Sequence, residues 1–232
     1  QKLQLIRRLV DAGLRGIEVA SFVHPKAVPQ MADANEVMAK MERLFEGAPV
    51  KFVGLVFNQR GYDRAIASGC KSMAFGVSVS DTFSRRNTRM SADEAVDTTR
   101  NLIRQAKDDG IWVRVYLSAA WICPFDGPMP LTKTIAYADK IWSMGIDELA
   151  VADTIAHANP LEVGRLMEQL GRRLDMNRLA IHLHDTQALG LANATTAIQA
   201  GVRIFDTSIG GLGGCPFAPG AAGNLATEDL VF

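Results

Sequence analysis

The chain has 232 residues, 48% of them hydrophobic, which is enough for one large core or two small ones. Its 25 basic and 25 acidic side chains cancel to a formal net charge of zero, which argues against nucleic acid or an anionic membrane as partner. No run approaches the roughly 18 apolar residues of a membrane span. The three cysteines, Cys70, Cys123 and Cys215, fall in no metal-type or disulfide-framework spacing, as expected of a reduced, cytoplasmic protein.

The opening residues, QKLQLIRRLVDAGLRG, follow an amphipathic helix pattern and show no targeting segment. A chain that starts inside a helix without methionine is expected to lack upstream residues. Strand-like runs then come in order: GIEVAS (16–21), KFVGLVF (51–57), SMAFGVS (72–78), WVRVYLSA (112–119), ELAVAD (148–153), LAIHLHD (179–185) and RIFDTSI (203–209). Helical stretches separate them, and Gly13, Gly69, Gly110, Gly145 and Gly201 stand where a left-handed residue would close each helix before the next strand. Ser91 and Glu94 have capping-box spacing, and Pro160 marks another helix start.

Alternating strands and helices predict an α/β fold with a parallel sheet. Seven strands with a helix before the first are one βα unit short of a (β/α)8 TIM barrel. The expected organisation is one barrel domain over residues 1–232, truncated upstream of Gln1 and again after Phe232, where LATEDLVF reads as part of a last helix. An open doubly wound sheet is the competing architecture, but it does not predict the Asp-Thr pairs that end the last three runs, at Asp153, Asp185 and Asp206.

His182 and His184 are two of only four histidines. Two residues apart on a strand, they face the same side, which in a barrel is the lumen. Two neutral imidazoles on a rigid strand form half of a divalent-metal site, and oxygen ligands from neighbouring strands would favour Mg2+ or Mn2+ over Zn2+. A pair of structural, hydrogen-bonded histidines fits the same spacing. Cys215 lies in DTSIGGLGGCPFAPGAAGN, whose glycines and alanines read as a flexible loop that a ligand can approach closely. That thiol is either a proton carrier or nucleophile, or an inert group in a phosphate-cradling loop. Glu18, on the polar side of GIEVAS, is either an acid or an ordinary solvated edge position, Asp153 is either an acid or a cap for the turn after its strand, and Arg85, Arg86 and Arg89, beside Asn87, make a basic cluster that is either an anion contact or a solvated surface. Lys26 is another anion contact; His24 and His157 read as structural or surface residues.

GIEVASFVHPKAVPQMADANEV (16–37), IHLHDT and SIGGLGGCPFAPGAAGNLATEDLV together resemble the 3-hydroxy-3-methylglutaryl-CoA lyase family of metal-dependent barrel lyases. SDTFSRRNTR (80–89) and CPFDG (123–127) resemble that family's loops after its fourth and fifth strands. The resemblance implies that His182, His184 and Asn224 bind the metal, that Cys215 takes part in proton transfer, and that Glu18 and Asp153 are catalytic acids. Lys26, Arg86 and Asn87 are the substrate-binding candidates. The family's first strand also contributes an Arg-Asp pair that this sequence does not contain, so a chain consisting of these residues alone is expected to be inactive.

The implied reaction is carbon–carbon cleavage of an acyl-CoA substrate, 3-hydroxy-3-methylglutaryl-CoA, to acetyl-CoA and acetoacetate. His182 enters it as a ligand, because a metal-bound imidazole does not readily shuttle protons. Ala152, Ala156 and Ala188 stand where the family has glycine, and Trp121 and Ile122 where it has smaller residues. These departures leave a citramalyl-CoA or a longer-branched glutaryl-CoA open as substrate. A synthase or aldolase of the same superfamily and a non-catalytic acyl-CoA-binding protein are the other classes. Neither the choice between Mg2+ and Mn2+ nor a homo-oligomer is decided.

Overall fold

The computed structural model describes residues 1–214 and 223–232. The helices are α1 (Lys2–Asp11), α2 (Ala34–Leu44), α3 (Gln59–Ala67), α4 (Asp81–Thr88), α5 (Ala92–Asp108), α6 (Leu131–Trp142), α7 (Pro160–Gly171), α8 (Gly190–Gln199) and α9 (Thr227–Val231). The strands are β1 (Gly16–Ser21), β2 (Lys51–Val56), β3 (Ser72–Ser78), β4 (Trp112–Ser118), β5 (Ile122–Cys123), β6 (Gly127–Pro128), β7 (Glu148–Asp153), β8 (Leu179–Leu183) and β9 (Ile204–Asp206). Seven strands form one sheet in the order β1-β2-β3-β4-β7-β8-β9, and the β1–β2, β2–β3, β7–β8 and β8–β9 pairings are parallel. Each strand thus pairs with the next in sequence after a helical crossover, the topology of the (β/α)8 class. Among the described residues no helix is long and apolar enough to cross a membrane.

The chain divides into two compact units, 1–76 with 97–114, and 77–96 with 115–232. In the first unit Phe52, Val53 and Val56 of β2 are buried, as are Met38 and Met41 of α2 and Tyr62 of α3. The segment after β1 is fastened there by Arg64. Its Nε and Nη2 donate to Asn35 Oδ1 at 3.0 and 2.7 Å, and its Nη1 donates to the Val23 carbonyl at 2.9 Å. Phe22 lies against β2, where a Cβ at position 54 would come within 2.6 Å of its ring, so only glycine fits.

In the second unit β7 and β8 are almost wholly buried, which accounts for their unbroken apolar sequences ELAVAD and LAIHL. Leu166, Met167 and Leu170 of α7 and Ile141 of α6 are buried in the same unit. The capping box predicted at Ser91 forms, with Ser91 N donating to Glu94 Oε2 at 2.7 Å and Glu94 N to Ser91 Oγ at 3.2 Å. Asn159 and Glu162 make another around Pro160. The five predicted helix-closing glycines all have positive φ, between 73° and 103°.

Two segments expected as loops are ordered elements. Residues 81–88 form α4, because the Ser80 hydroxyl accepts from Phe83 N at 3.0 Å and caps the helix. CPFDG belongs to the two-stranded hairpin β5–β6, turned by Gly127 at φ 73°. The last predicted strand run shrinks to the three residues of β9, and Ala119 leaves β4 in a left-handed conformation at φ 53°.

Candidate active site

The predicted polar cluster forms at the C-terminal ends of β7, β8 and β9, all within the second unit. The imidazoles of His182 and His184 stand edge to face, with centroids 4.8 Å apart. Each ring commits Nδ1 to an oxygen of a neighbouring strand: His182 to Asp206 Oδ2 at 3.2 Å, and His184 to the Asp153 carbonyl at 2.9 Å. Both oxygens only accept, so both Nδ1 atoms carry the proton, and each Nε2 keeps a lone pair. Outer carboxylates and carbonyls orient metal-binding histidines in this way. Burial, with the neighbouring His182 adding to it, pushes His184 down to about 4 and keeps the ring neutral, the state a metal requires. Tyr116 of β4 packs edge-on against His182 at 5.7 Å.

Asn224 completes the group. Residues 223–226 return to β8: Asn224 forms an antiparallel bridge with His184, and Leu225 N donates to the Leu183 carbonyl at 3.0 Å. The Asn224 amide donates through Nδ2 to the Leu212 carbonyl at 2.9 Å, while its Oδ1 is buried without a hydrogen-bond partner among the described residues. A desolvated amide oxygen with nothing to accept from costs on the order of 1–3 kcal/mol. A hard cation removes that cost, so two imidazole nitrogens and an orphaned oxygen fit a divalent metal of the Mg2+ or Mn2+ type. Among the described residues no group of three or more His, Cys, Asp or Glu side chains is placed to hold a metal. The donor set on offer is mixed, with the amide as its oxygen.

The three Asp-Thr pairs do different work. Asp153 is buried and receives two amides of its own loop, His157 N on Oδ1 and Ala158 N on Oδ2, each at 3.1 Å. Burial nonetheless pushes its carboxyl up to about 6, with those amides pulling the other way. The reading of Asp153 as a cap for its turn is thus realised, and the raised value also leaves it able to exchange a proton near neutrality. Asp185 caps α8, accepting from Gly190 N at 2.7 Å. Asp206 orients His182, a role that sequence analysis missed, because no spacing in the chain announces a contact between residues 24 apart. Thr154 Oγ1 accepts from Ala119 N at 2.8 Å and holds the first residue after β4.

Two of the family's glycine positions acquire a physical explanation. In both Asp-Thr-x-Ala turns, the alanine N–H donates to the aspartate carbonyl three residues earlier, Ala156 to Asp153 at 3.3 Å and Ala188 to Asp185 at 3.0 Å. Both alanines are left-handed, at φ 55° and 56°. Glycine suits these positions because of backbone conformation. Trp121 is buried too, with Nε1 donating to the Glu162 carbonyl of α7 at 3.1 Å.

The glycines before Cys215 also serve a purpose other than flexibility. Gly210, Gly211 and Gly213 all have positive φ, and a Cβ on Gly213 would fall 2.9 Å from Asn224 Nδ2. They shape a turn that lies directly on Asn224. Cys215 itself lies outside the described residues. Glu18 is exposed on β1 beside a register shift between Glu18 and Ala20, and Lys26 is exposed in the segment that Arg64 fastens; both belong to the first unit. Arg86 and Asn87 are exposed on α4, and the Arg86 guanidinium lies 4.1 Å from the centre of the Phe125 ring. Within the second unit the structure thus brings together His182, His184, Asn224 and Asp153.

The HMGL-like family model matches residues 1–232. A hydroxymethylglutaryl-CoA lyase of Bacillus subtilis (strain 168) is 39% identical over 231 residues, covering 100% of this chain and 76% of that protein. The hydroxymethylglutaryl-CoA lyase of Pseudomonas mevalonii is 38% identical, with the same coverage. The crystal structure of the Bacillus subtilis HMG-CoA lyase superposes with a TM-score of 0.94 over 99% of this chain and 76% of that one, at 39% identity. An HMG-CoA lyase from Acinetobacter baumannii, solved with coenzyme A and 3-methylmalate, superposes at 0.92 and 33% identity, covering 99% and 74% of the two chains. The N-terminal domain of a putative aldolase from Bacteroides vulgatus, at 18% identity and a TM-score of 0.64, shares the fold alone.

Proposed function

Because the chain belongs to the HMGL-like family, we propose that it is a divalent-metal-dependent carbon–carbon lyase that cleaves 3-hydroxy-3-methylglutaryl-CoA to acetyl-CoA and acetoacetate. The observation that carries this reading is the match along the whole chain to hydroxymethylglutaryl-CoA lyases of 38–39% identity. The orphaned Asn224 oxygen, on a residue bridged to His184, and two imidazoles held through Nδ1 support it from the side of chemistry. A relative solved with coenzyme A supports an acyl-CoA as the substrate class.

His182 and His184, through Nε2, and Asn224, through Oδ1, would hold Mg2+ or Mn2+. A cation there supplies Lewis-acid polarisation of the substrate's hydroxyl and a neighbouring carbonyl or carboxylate oxygen. The protein's own groups supply proton traffic and positioning. Cleavage needs a base for the C3 hydroxyl proton and an acid to protonate the departing thioester enolate. Cys215 is the proposed proton carrier, with Glu18 and Asp153 as the proposed acids; the Asp153 carboxyl, raised to about 6, is poised for such exchange. Asp206 keeps the His182 proton on Nδ1 and so leaves Nε2 free for its role. Lys26, Arg86 and Asn87 are proposed to meet the anionic parts of coenzyme A. The free, buried thiols of Cys70 and Cys123 fit a reducing compartment, and we place the protein in the cytoplasm.

Incubating the full-length protein with Mg2+ or Mn2+ and a panel of 3-hydroxyacyl-CoAs, with mass detection of products, tests the reading. Acetyl-CoA and acetoacetate from 3-hydroxy-3-methylglutaryl-CoA are the expected products. Preferred cleavage of citramalyl-CoA or a longer-branched glutaryl-CoA would move the substrate within the same reaction. Absence of any cleaved thioester would overturn the lyase.

A further inference from the structure

We infer that Asn224 is a positioning residue acting in two directions, its single amide setting both the metal's oxygen ligand and the glycine turn 209–213, so that metal binding and order in that turn are coupled. The inference rests on the metal reading above. Its structural basis is a set of contacts on both faces of one side chain. Oδ1 is buried and unpartnered, and Nδ2 donates to the Leu212 carbonyl at 2.9 Å. The amide is planar, so the carbonyl that fixes Nδ2 also fixes the direction in which Oδ1 points. Withdrawal of electron density from Oδ1 by a cation makes Nδ2–H a stronger donor, and the bond to Leu212 tightens.

The turn is built to rest on this residue. A Cβ on Gly223 would fall 1.5 Å from the Gly211 carbonyl oxygen, and one on Gly211 would fall 3.0 Å from the backbone carbonyl oxygen of Asn224. Internal bonds hold the turn's shape, Gly211 N to the Ser208 carbonyl at 3.0 Å and Leu212 N to the Ile209 carbonyl at 3.1 Å. Its other anchor is Glu228 of α9, whose Oε2 accepts from Gly210 N at 2.9 Å. The Thr227 hydroxyl donates to that of Thr207 at 2.8 Å, and Ser208 N donates to the Leu225 carbonyl at 3.0 Å. The segments 207–212 and 223–228 are therefore zipped together, with Asn224 at the end nearest His184. Coupling of this kind is reciprocal: whatever loosens the turn must also weaken the metal.

The test is Mn2+ affinity measured by calorimetry together with amide hydrogen exchange at Gly210, Gly211 and Leu212, in the whole protein with and without Mn2+. In the native sequence, saturating Mn2+ is expected to slow these amides measurably, by at most about tenfold, the worth of one net hydrogen bond. Asn224→Asp keeps an oxygen ligand but replaces the donor facing Leu212 with an acceptor, so Mn2+ is expected to bind while the slowing disappears. Glu228→Ala releases the far anchor without touching the metal group, and its Mn2+ affinity is expected to fall severalfold, up to about tenfold by the same linkage. Circular dichroism and the urea midpoint establish that each variant is folded. Mn2+ binding to the native protein with no change at these amides would overturn the inference and leave the metal reading standing; no binding at all would remove both. Unchanged Mn2+ affinity in Glu228→Ala despite faster exchange in the turn would overturn it as well, and that variant decides alone if Asn224→Asp binds no metal.

Discussion

The turns after β7 and β8 are tied by the aspartates that end those runs, whereas the segment after β1 is tied from elsewhere in its unit. Asp153 gathers the amides of residues 157 and 158, and Asp185 gathers that of Gly190, each within five residues in sequence. After β1 the fastening comes from Arg64 of α3, which reaches back 41 residues to the Val23 carbonyl and 29 to Asn35. A turn tied by its own carboxylate keeps its shape with little help, and the imidazole of His184, hydrogen-bonded to the Asp153 carbonyl, inherits that rigidity. The β1 segment, carrying Lys26, has its own turn at His24, whose Nδ1 accepts from Lys26 N at 3.2 Å, but is otherwise held by long side chains, Arg64 and Lys2, the latter donating to Asp33 Oδ1 at 2.6 Å, and is the easier of the two to disturb.

The largest effect is expected from His184→Ala. Loss of a proposed direct ligand should exceed the roughly 10–100-fold that removal of an outer partner costs, eliminating Mn2+ binding in calorimetry and product formation together; near-native metal affinity would refute the site. Gly223→Ala comes next, because a methyl group has no room against the Gly211 oxygen. A loss of about 3 kcal/mol in urea-unfolding stability is expected, at the upper end of overpacking costs. Arg64→Ala probes the other region directly: losing its bonds to Asn35 and Val23 should cost about 2 kcal/mol while Mn2+ affinity stays at the native value, since the metal group belongs to the self-tied turns. A parallel fall in metal affinity would erase the contrast. Asp206→Asn should weaken Mn2+ by roughly 10–100-fold with stability nearly unchanged, as outer-partner substitutions do. The smallest change is expected from Ala188→Gly: relief of left-handed strain, on the order of 1 kcal/mol, is offset by about 0.4–1 kcal/mol of added freedom in the unfolded chain, so the urea midpoint should barely move.

The runs ELAVAD and LAIHL were readable as strands because a sheet buried on both faces demands unbroken apolar sequence, and β7 and β8 occupy those positions. Gly13, Gly69, Gly110, Gly145 and Gly201 were readable for a similar reason, since the end of a helix imposes one local conformation. Helix α4 is hard to read in the sequence although Ser80 followed by an acidic residue is a start signal, because its polar, arginine-rich run lacks an apolar stripe to mark it. The hairpin β5–β6 is too short to show any period. His182, His184 and Asn224 were nominated as a group through resemblance, and strand alternation placed the two histidines on one side. Neither source of information contained the Asp206 and Leu212 contacts.

Sequence alone determined the order of strands and helices, the glycine-closed helix ends, and the pairing of two imidazoles on one strand, because each follows from periodicity or from the conformational limits of a single residue type. Tertiary structure alone decided which nitrogen of each histidine stays available, why Asn224 presents a bare oxygen, and why glycines cluster before Cys215. Those outcomes depend on groups brought together across the sheet from 12 to 31 residues away, as in the Leu212–Asn224 and Asp153–His184 contacts. A hydrogen bond at that separation leaves no periodic trace in the chain, and only packing selects it.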